Sequence, residues 1–412
     1  MIVRRETRDA GRETRGTRSL MTLVIRGARV VVGDGTVLPQ ADVHVKDGII
    51  SAVGAHTPVT SDTVIEAWGR VVMPGFVDAH THALWAGSRL DEFEQMRRGT
   101  SYLDILKAGG GILSTVRAVR ETSEARLADY LRRRLAVMLG EGTTTVEIKS
   151  GYGLTTEHEL KMLRAITRAA QDFPGTVVPT ALLGHALDPE RPTLVDDVIN
   201  ETLPAVHAEF PGVAVDAFCE TGAWTVADCR RLFEKAQVLG HPIRLHADQF
   251  NPLGGLELAV ELSALSVDHL EASSPGDLIR LAESPTCGVM LPAAGFHTDG
   301  RYANGRAFLD AGGKLVLATN CNPGSAPTSS VPFVVALAVR HLGVTASEAI
   351  QAVTSRPAEM LGFRDRGRIA VGCRADLVLL RHADERMLGY EVGGNPVDLV
   401  VVGGEAVGRL GG

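Results

Sequence analysis

Hydrophobic and polar positions alternate along this chain in two distinct styles. From Thr22 the sequence runs LVIRGARVVVGDG, ADVHVKDGIISAVGA and TVIEAWGRVVMPG. These are short Val/Ile-rich stretches broken by Gly-Asp and Asp-Gly turns, a pattern that predicts β-strands joined tightly. The style returns near the other end in GRIAVGCRADLVLL and PVDLVVVGGEAV. Two β-rich ends around a different middle predict one small β-sandwich built from both termini, residues 21–75 with 365–412.

The middle, residues 76–364, alternates strand-like runs with long amphipathic ones. The strand candidates are FVDAHTH, TTTVEIKSG, TVVPTALLGHA, VAVDAFCETG, PIRLHAD, SVDHLE, GVMLP and KLVLATNCN. One helix is plain in TSEARLADYLRRRLAVMLG, with Thr122 as its expected N-cap and Gly140 as its expected C-cap. Eight strands alternating with helices predict an α/β fold of the (β/α)8 TIM-barrel type. A doubly wound open sheet would alternate in the same way. The placing of polar residues at strand ends favours the barrel.

Composition narrows the classes. Hydrophobic residues make up 45% and charged ones 22%, which fits a globular chain and excludes a wholly disordered or collagen-like one. Acids exceed bases by 49 − 42 = 7, so no global field attracts nucleic acid or an anionic membrane. No uncharged apolar run approaches the length of a membrane span. The cysteines Cys219, Cys229, Cys287, Cys321 and Cys373 are odd in number and include no CxxC, which argues for a reducing, cytoplasmic setting. Residues 1–20 carry six arginines and three acids without apolar periodicity. They read as a disordered extension, or as an assigned start upstream of the true one at Met21.

The candidate chemistry sits at strand ends. His80 and His82 form an HxH in FVDAHTH. Side chains at i and i+2 of a strand share a face, so both imidazoles can reach one metal ion. His185, His246 and His269 end the third, fifth and sixth predicted strands. A single such histidine is usually structural. Several at successive strand ends converge on one mouth of a barrel, where the active sites of this fold lie. Neutral imidazoles suit zinc or iron. Asp248, two residues after His246, is a candidate to orient it. The other histidines read as structural or exposed.

At these residues the chain resembles the amidohydrolase superfamily and, within it, the imidazolonepropionases of histidine degradation. The resemblance rests on MPGFVDAHTH, AGSR (86–89), SYLDILKAGGGILSTV (101–116), GTTTVEIKSGYGL (142–154), HADQFNPLGG (246–255), DHLE (268–271) and NPGS (322–325). The HxH marks only the superfamily; GGGILST and KSGYGL are more specific. The resemblance implies one Zn²⁺, Fe²⁺ or Fe³⁺ per subunit, on His80, His82, His246 and the residue ending the eighth strand, Asn320. It implies substrate contacts from Arg89, Tyr152, His185, Gln249, Asn322, Gly324 and Ser325, and catalytic roles for His269, Gln249 and Asn320. It further implies hydrolysis of the cyclic amide 4-imidazolone-5-propanoate to N-formimidoyl-L-glutamate, and a homodimer is compatible with it. The fourth strand ends in FCETG, without the lysine of binuclear relatives, so one metal is expected.

Two positions depart from the pattern. Asn320 stands where the superfamily places a metal-binding, proton-accepting Asp, and an amide cannot accept that proton as a carboxylate can. Gln249 stands where some members carry Glu. Two further readings therefore stay open: a related cyclic amidohydrolase or deaminase, and a homologue of reduced turnover.

Overall fold

A computed structural model describes residues 22–55, 61–100 and 110–409. The expectation for residues 1–20 and most of the SYLDILKAGG stretch lie outside the described residues.

The two ends of the chain meet in one mixed sheet. Its strands are β1 (Thr22–Val31), β2 (Val37–Lys46), β3 (Ile49–Gly54), β4 (Thr63–Glu66), β5 (Val71–Pro74), β14 (Leu377–Leu380), β15 (Val397–Val402) and β16 (Glu405–Arg409). The order is β16-β15-β14-β5-β1-β2-β3, with β4 also paired to β1. Leu23, Ile25, Val43, Ile50, Leu377 and Val401 share one core, so the sheet curls around its own apolar face. Arg29 donates to Glu385 through Nε (2.6 Å) and Nη2 (2.9 Å), a forked pair across the two ends.

All eight predicted barrel strands form. They are β6 (Phe76–Asp78), β7 (Thr143–Lys149), β8 (Thr176–Gly184), β9 (Ala214–Cys219), β10 (Ile243–Ala247), β11 (Ser266–His269), β12 (Cys287–Met290) and β13 (Leu315–Leu317), paired in sequence order. The pairs run parallel throughout. At the seam the Asn320 N–H donates to the His80 carbonyl (3.0 Å) and the His82 N–H to that of Cys321 (3.0 Å). Asp78 adds a side-chain lock, accepting from the Thr319 N–H (3.1 Å) and hydroxyl (2.6 Å). These bonds bring the last strand to the first and close a (β/α)8 barrel.

The helix Glu124–Gly140 shows how pattern becomes packing. It buries Leu127, Leu131, Leu135 and Met138, a stripe at helical spacing, and exposes its arginine-rich face. Its N-cap is Ser123, which accepts from the Arg126 N–H, and Glu141 follows its last residue, Gly140. Thr122 instead ends the preceding helix, Ile112–Glu121, and donates its hydroxyl to the Ala118 carbonyl (2.6 Å). Both adjacent hydroxyl residues have extended backbones, but the Thr122 hydroxyl is committed to the preceding helix, which leaves the cap to Ser123. Among the described residues no helix is long and apolar enough to cross a membrane.

Candidate active site

The first strand brings His80 and His82 to the barrel mouth, and β10 brings His246. Ligand atoms of these three buried side chains lie within 4.8 Å of one another. His80 Nδ1 is 2.6 Å from Asp268 Oδ2, and His246 Nδ1 is 3.0 Å from Asp216 Oδ1. A carboxylate accepts, so each Nδ1 carries the proton and each Nε2 carries the lone pair. The Nε2 atoms of His246 and His82 face each other at 3.3 Å. Two nitrogens about 2.0–2.1 Å from a tetrahedral zinc would stand roughly this far apart. Burial pushes His80, His82 and His246 down from the usual imidazole range, which keeps them neutral and able to ligate.

Asn320 stands beside this group, its N–H bonded to the His80 carbonyl. It follows β13 with φ 54°, a left-handed backbone that an Asn tolerates better than most residues. Among the described residues its buried Oδ1 and the buried Nε2 of His80 have no hydrogen-bond partner. Orphaned acceptors are costly in a protein interior unless something pairs with them. Three neutral imidazole nitrogens and an unpaired amide oxygen are a donor set that fits a metal ion.

His269 ends β11 with φ 96°, and Leu270 follows with φ 72°. This breaks the strand's alternation, so neighbouring residues both serve the site. Asp268 reaches His80, while the His269 ring lies 5.7 Å from that of His246 and 6.1 Å from that of His80. His269 Nδ1 pairs with Glu271 Oε1 at 3.2 Å, which leaves Nε2 as a base. Positive φ at non-glycine residues also occurs at Leu154 and Asp248, beyond two other barrel strands. Strain of this kind gathers at functional sites.

A row of side chains leads away from the histidines. The His185 ring stacks on that of His82 (5.0 Å), and Tyr152 lies 5.1 Å from His185. His185 Nδ1 bonds the Gly151 carbonyl at 2.9 Å. A Cβ on Gly151, which has φ 109°, would meet that nitrogen at 2.9 Å, so only glycine fits. Burial raises the Tyr152 phenol above its ordinary range, so it stays protonated and can donate. Glu159, buried on the helix Thr156–Ala170, accepts from the N–H groups of Gly151 (2.8 Å), Gly153 (2.7 Å) and Leu154 (2.8 Å). It clamps the loop that carries Tyr152.

Arg89 stands beside the Asn322–Ser325 turn. A Cβ on Gly324 would meet its Nη1 at 3.2 Å. Asn322 shapes the turn: its Oδ1 accepts from the N–H groups of Gly324 and Ser325 (both 2.8 Å), and its Nδ2 donates to the Asn320 carbonyl (2.6 Å). Arg89 Nε donates to Glu92. Glu92 also accepts from the Gly111 N–H (3.2 Å) and the Ser114 hydroxyl (2.9 Å). The end of the GGGILST motif thus builds the brace that aims Arg89. Gln249 lies half-buried in the turn after β10. Among the described residues it makes no side-chain hydrogen bond to the histidine cluster.

The orienting carboxylate of His246 is Asp216 on β9, not Asp248. Asp248 has φ 57° and accepts from the Ser273 hydroxyl (2.7 Å), so its side chain is turned away. Glu220, in the FCETG stretch, accepts from the N–H groups of Phe250 and Asn251 and holds the loop after β10.

Beneath the histidines lies a charged layer that reading the strand ends alone does not reveal. Glu147, Lys149, Asp216, Arg244 and Asp268 are all buried. Alternation could have found part of it: Arg244 stands two residues before His246 and so faces the same way. His246 and Lys149 more than offset the burial penalty on Asp216 and hold its carboxyl well below the usual range. Three carboxylates against two cations leave one formal negative charge under a ligand set of neutral groups.

The amidohydrolase family model matches residues 71–407. A protein named imidazolonepropionase in Herpetosiphon aurantiacus is 46% identical over 390 residues, 91% of each chain. Proteins of the same name in Syntrophobacter fumaroxidans (42%, 89% of each chain) and Symbiobacterium thermophilum (42%, 93% of each) are also similar. Among solved structures, a triazine hydrolase from Arthobacter aurescens superposes with TM-score 0.69 at 18% identity over 94% of each chain. Molinate hydrolase gives 0.67 at 19%, over 94% of this chain and 95% of that one. These two likenesses show the fold alone. With the family model spanning most of its length and relatives this similar over nine-tenths of it, the chain belongs to the amidohydrolase family and, within it, to the imidazolonepropionases.

Proposed function

We propose that this chain hydrolyses the ring amide of 4-imidazolone-5-propanoate, giving N-formimidoyl-L-glutamate in histidine degradation. The observation that carries this is the distance-graded row from the histidine cluster through His185 and Tyr152, with Arg89 aimed by Glu92 at the Asn322–Ser325 turn. It offers a metal site for a ring carbonyl and a cation for a propanoate tail.

His80, His82 and His246, with the side-chain Oδ1 of Asn320, would hold one Zn²⁺ or iron ion. Such an ion supplies Lewis-acid polarisation of a carbonyl and acidifies water. His269 accepts the proton of the attacking water at Nε2, while Glu271 stabilises the resulting imidazolium. The same proton then serves the ring nitrogen as the C–N bond opens. Tyr152 donates from its phenol, and neutral His185 offers its Nε2 to the ring. Arg89, with Nε committed to Glu92, receives the tail carboxylate end-on through its two Nη groups. Gly324 and Ser325, in the turn that Asn322 holds, line the approach together with Gln249. Residues 76–364 are the catalytic unit, and 21–75 with 365–412 brace it. The five free, buried cysteines support a reducing compartment such as the cytoplasm.

The test is metal content together with consumption of imidazolonepropionate by the purified chain. We expect one metal per chain and turnover that is lost with His82→Ala. A metal-loaded chain that turns over another cyclic amide but leaves imidazolonepropionate untouched sinks this reading.

A further inference from the structure

The charged layer under the histidines is built with a directness that its burial makes costly. Lys149 Nζ is 2.9 Å from Glu147 Oε1, 2.9 Å from Asp216 Oδ2 and 3.9 Å from Asp268 Oδ2. Arg244 donates through Nη2 to Asp268 (2.8 Å), through Nη1 to the Ala79 carbonyl (2.8 Å) and through Nε to the Ser266 hydroxyl (3.0 Å). Its Nη1 also lies 3.3 Å from Glu147. Glu147 Oε2 in turn accepts from the N–H of Thr81, the residue between His80 and His82. Replacing such buried pairs by apolar side chains is often neutral or stabilising, so stability alone gives a weak reason for them. Each cation instead lies one carboxylate away from a candidate ligand: Lys149 through Asp216 to His246, Arg244 through Asp268 to His80.

We propose that Lys149 and Arg244 are positioning residues of the metal centre. They fix the two carboxylates, and these fix the ring planes and tautomers of His246 and His80. A second feature agrees with this. Asp216, His246 and Asp268 themselves offer three ligand atoms within 4.8 Å. The Lys149 ammonium already fills that lower group, which directs an incoming ion to the Nε2 atoms above. The inference rests on the metal site under the proposed function, and its test separates the two.

The experiment is Zn²⁺ affinity, measured on the full chain by competition with a chromophoric chelator. Lys149→Met should weaken binding by about 10- to 100-fold, the usual loss when an outer partner of a metal-bound histidine is removed. Asp216→Asn should weaken it similarly. The double variant should bind no more weakly than Asp216→Asn, because Lys149 acts through Asp216. Arg244→Met with Asp268→Asn repeats the cycle on the other arm and serves if Lys149→Met does not fold. A folded cation variant with Zn²⁺ affinity equal to the parent overturns the inference, as do losses that multiply in the double variant. A parent chain whose Zn²⁺ binding survives His82→Ala overturns the metal site itself.

Discussion

At the scale of single residues, the proposed catalysis turns on Asn320. Three neutral imidazoles and a neutral amide cannot balance a dication, and the surplus negative charge lies a layer lower, among Asp216, Asp268 and Glu147. That arrangement compensates charge without placing a proton acceptor beside the water. His269, oriented by Glu271, is left as the base. We expect Asn320→Asp to tighten Zn²⁺ binding and raise kcat, since it restores a second acceptor. His269→Ala should lower kcat by about 10²–10⁴-fold, the usual worth of a general base. The check is kcat at saturating Zn²⁺ for both variants. If Asn320→Asp is no faster, the carboxylate is dispensable here. The HxH and the strand-end histidines could be read from spacing, because period-two alternation is local, whereas Asn320 was indicated only by the family resemblance. Asp216 could not, since its role depends on which strand packs beside β10.

At the scale of elements, the loop of residues 150–154 sets Tyr152 and Leu154 into the core, while its backbone N–H groups, left outside any strand, need an acceptor. Its order comes from Glu159, one turn into the next helix, which gathers three backbone N–H groups. Removing a buried acceptor leaves each donor unsatisfied at about 1–3 kcal/mol. Water entry recovers part of that cost, so Glu159→Ala should destabilise the chain by about 2–4 kcal/mol. Denaturant midpoints would show this, and KM should rise more than kcat falls because Tyr152 loses its place. Glu159→Gln keeps the oxygen that serves Gly153 and Leu154 and should lose less. Equal KM in all three proteins would free Tyr152 from dependence on this clamp. The KSGYGL motif was legible as a glycine-rich turn, but its carboxylate partner was hidden as an ordinary helical Glu.

At the scale of the whole molecule, the barrel and the terminal sheet are not independent. Val71, Met73, Val378, Leu380 and Val400 from the sheet join Phe76, Val146 and Val177 of the barrel in one core. Arg366 and Arg374 both donate to the Thr176 hydroxyl at the start of β8 (2.5 and 3.2 Å). A fragment of residues 76–364 would expose that apolar face, at roughly 25 cal/mol per Å². We therefore expect it to be insoluble or without cooperative unfolding, as judged by thermal denaturation, whereas the full chain melts in one transition. A fragment that folds alone would show the shared core to be dispensable.

What the amino-acid order by itself determined was the period of each segment and the residues that end each strand. Side-chain direction along a strand follows from backbone geometry alone, so His80 and His82 had to share a face, and the eight barrel strands could be placed before any packing was known. Tertiary structure decided everything that depends on neighbours remote in the chain. His246 lies in register with Phe218 on β9, yet its ring bonds Asp216, which is in register with Arg244. The stagger of a closed barrel makes that pairing, and no spacing in one strand records it. Likewise, Asp248 turned away and His269 turned in because their backbones entered the left-handed region at strand ends. Local preference disfavours that region, and only the surrounding contacts hold the chain there.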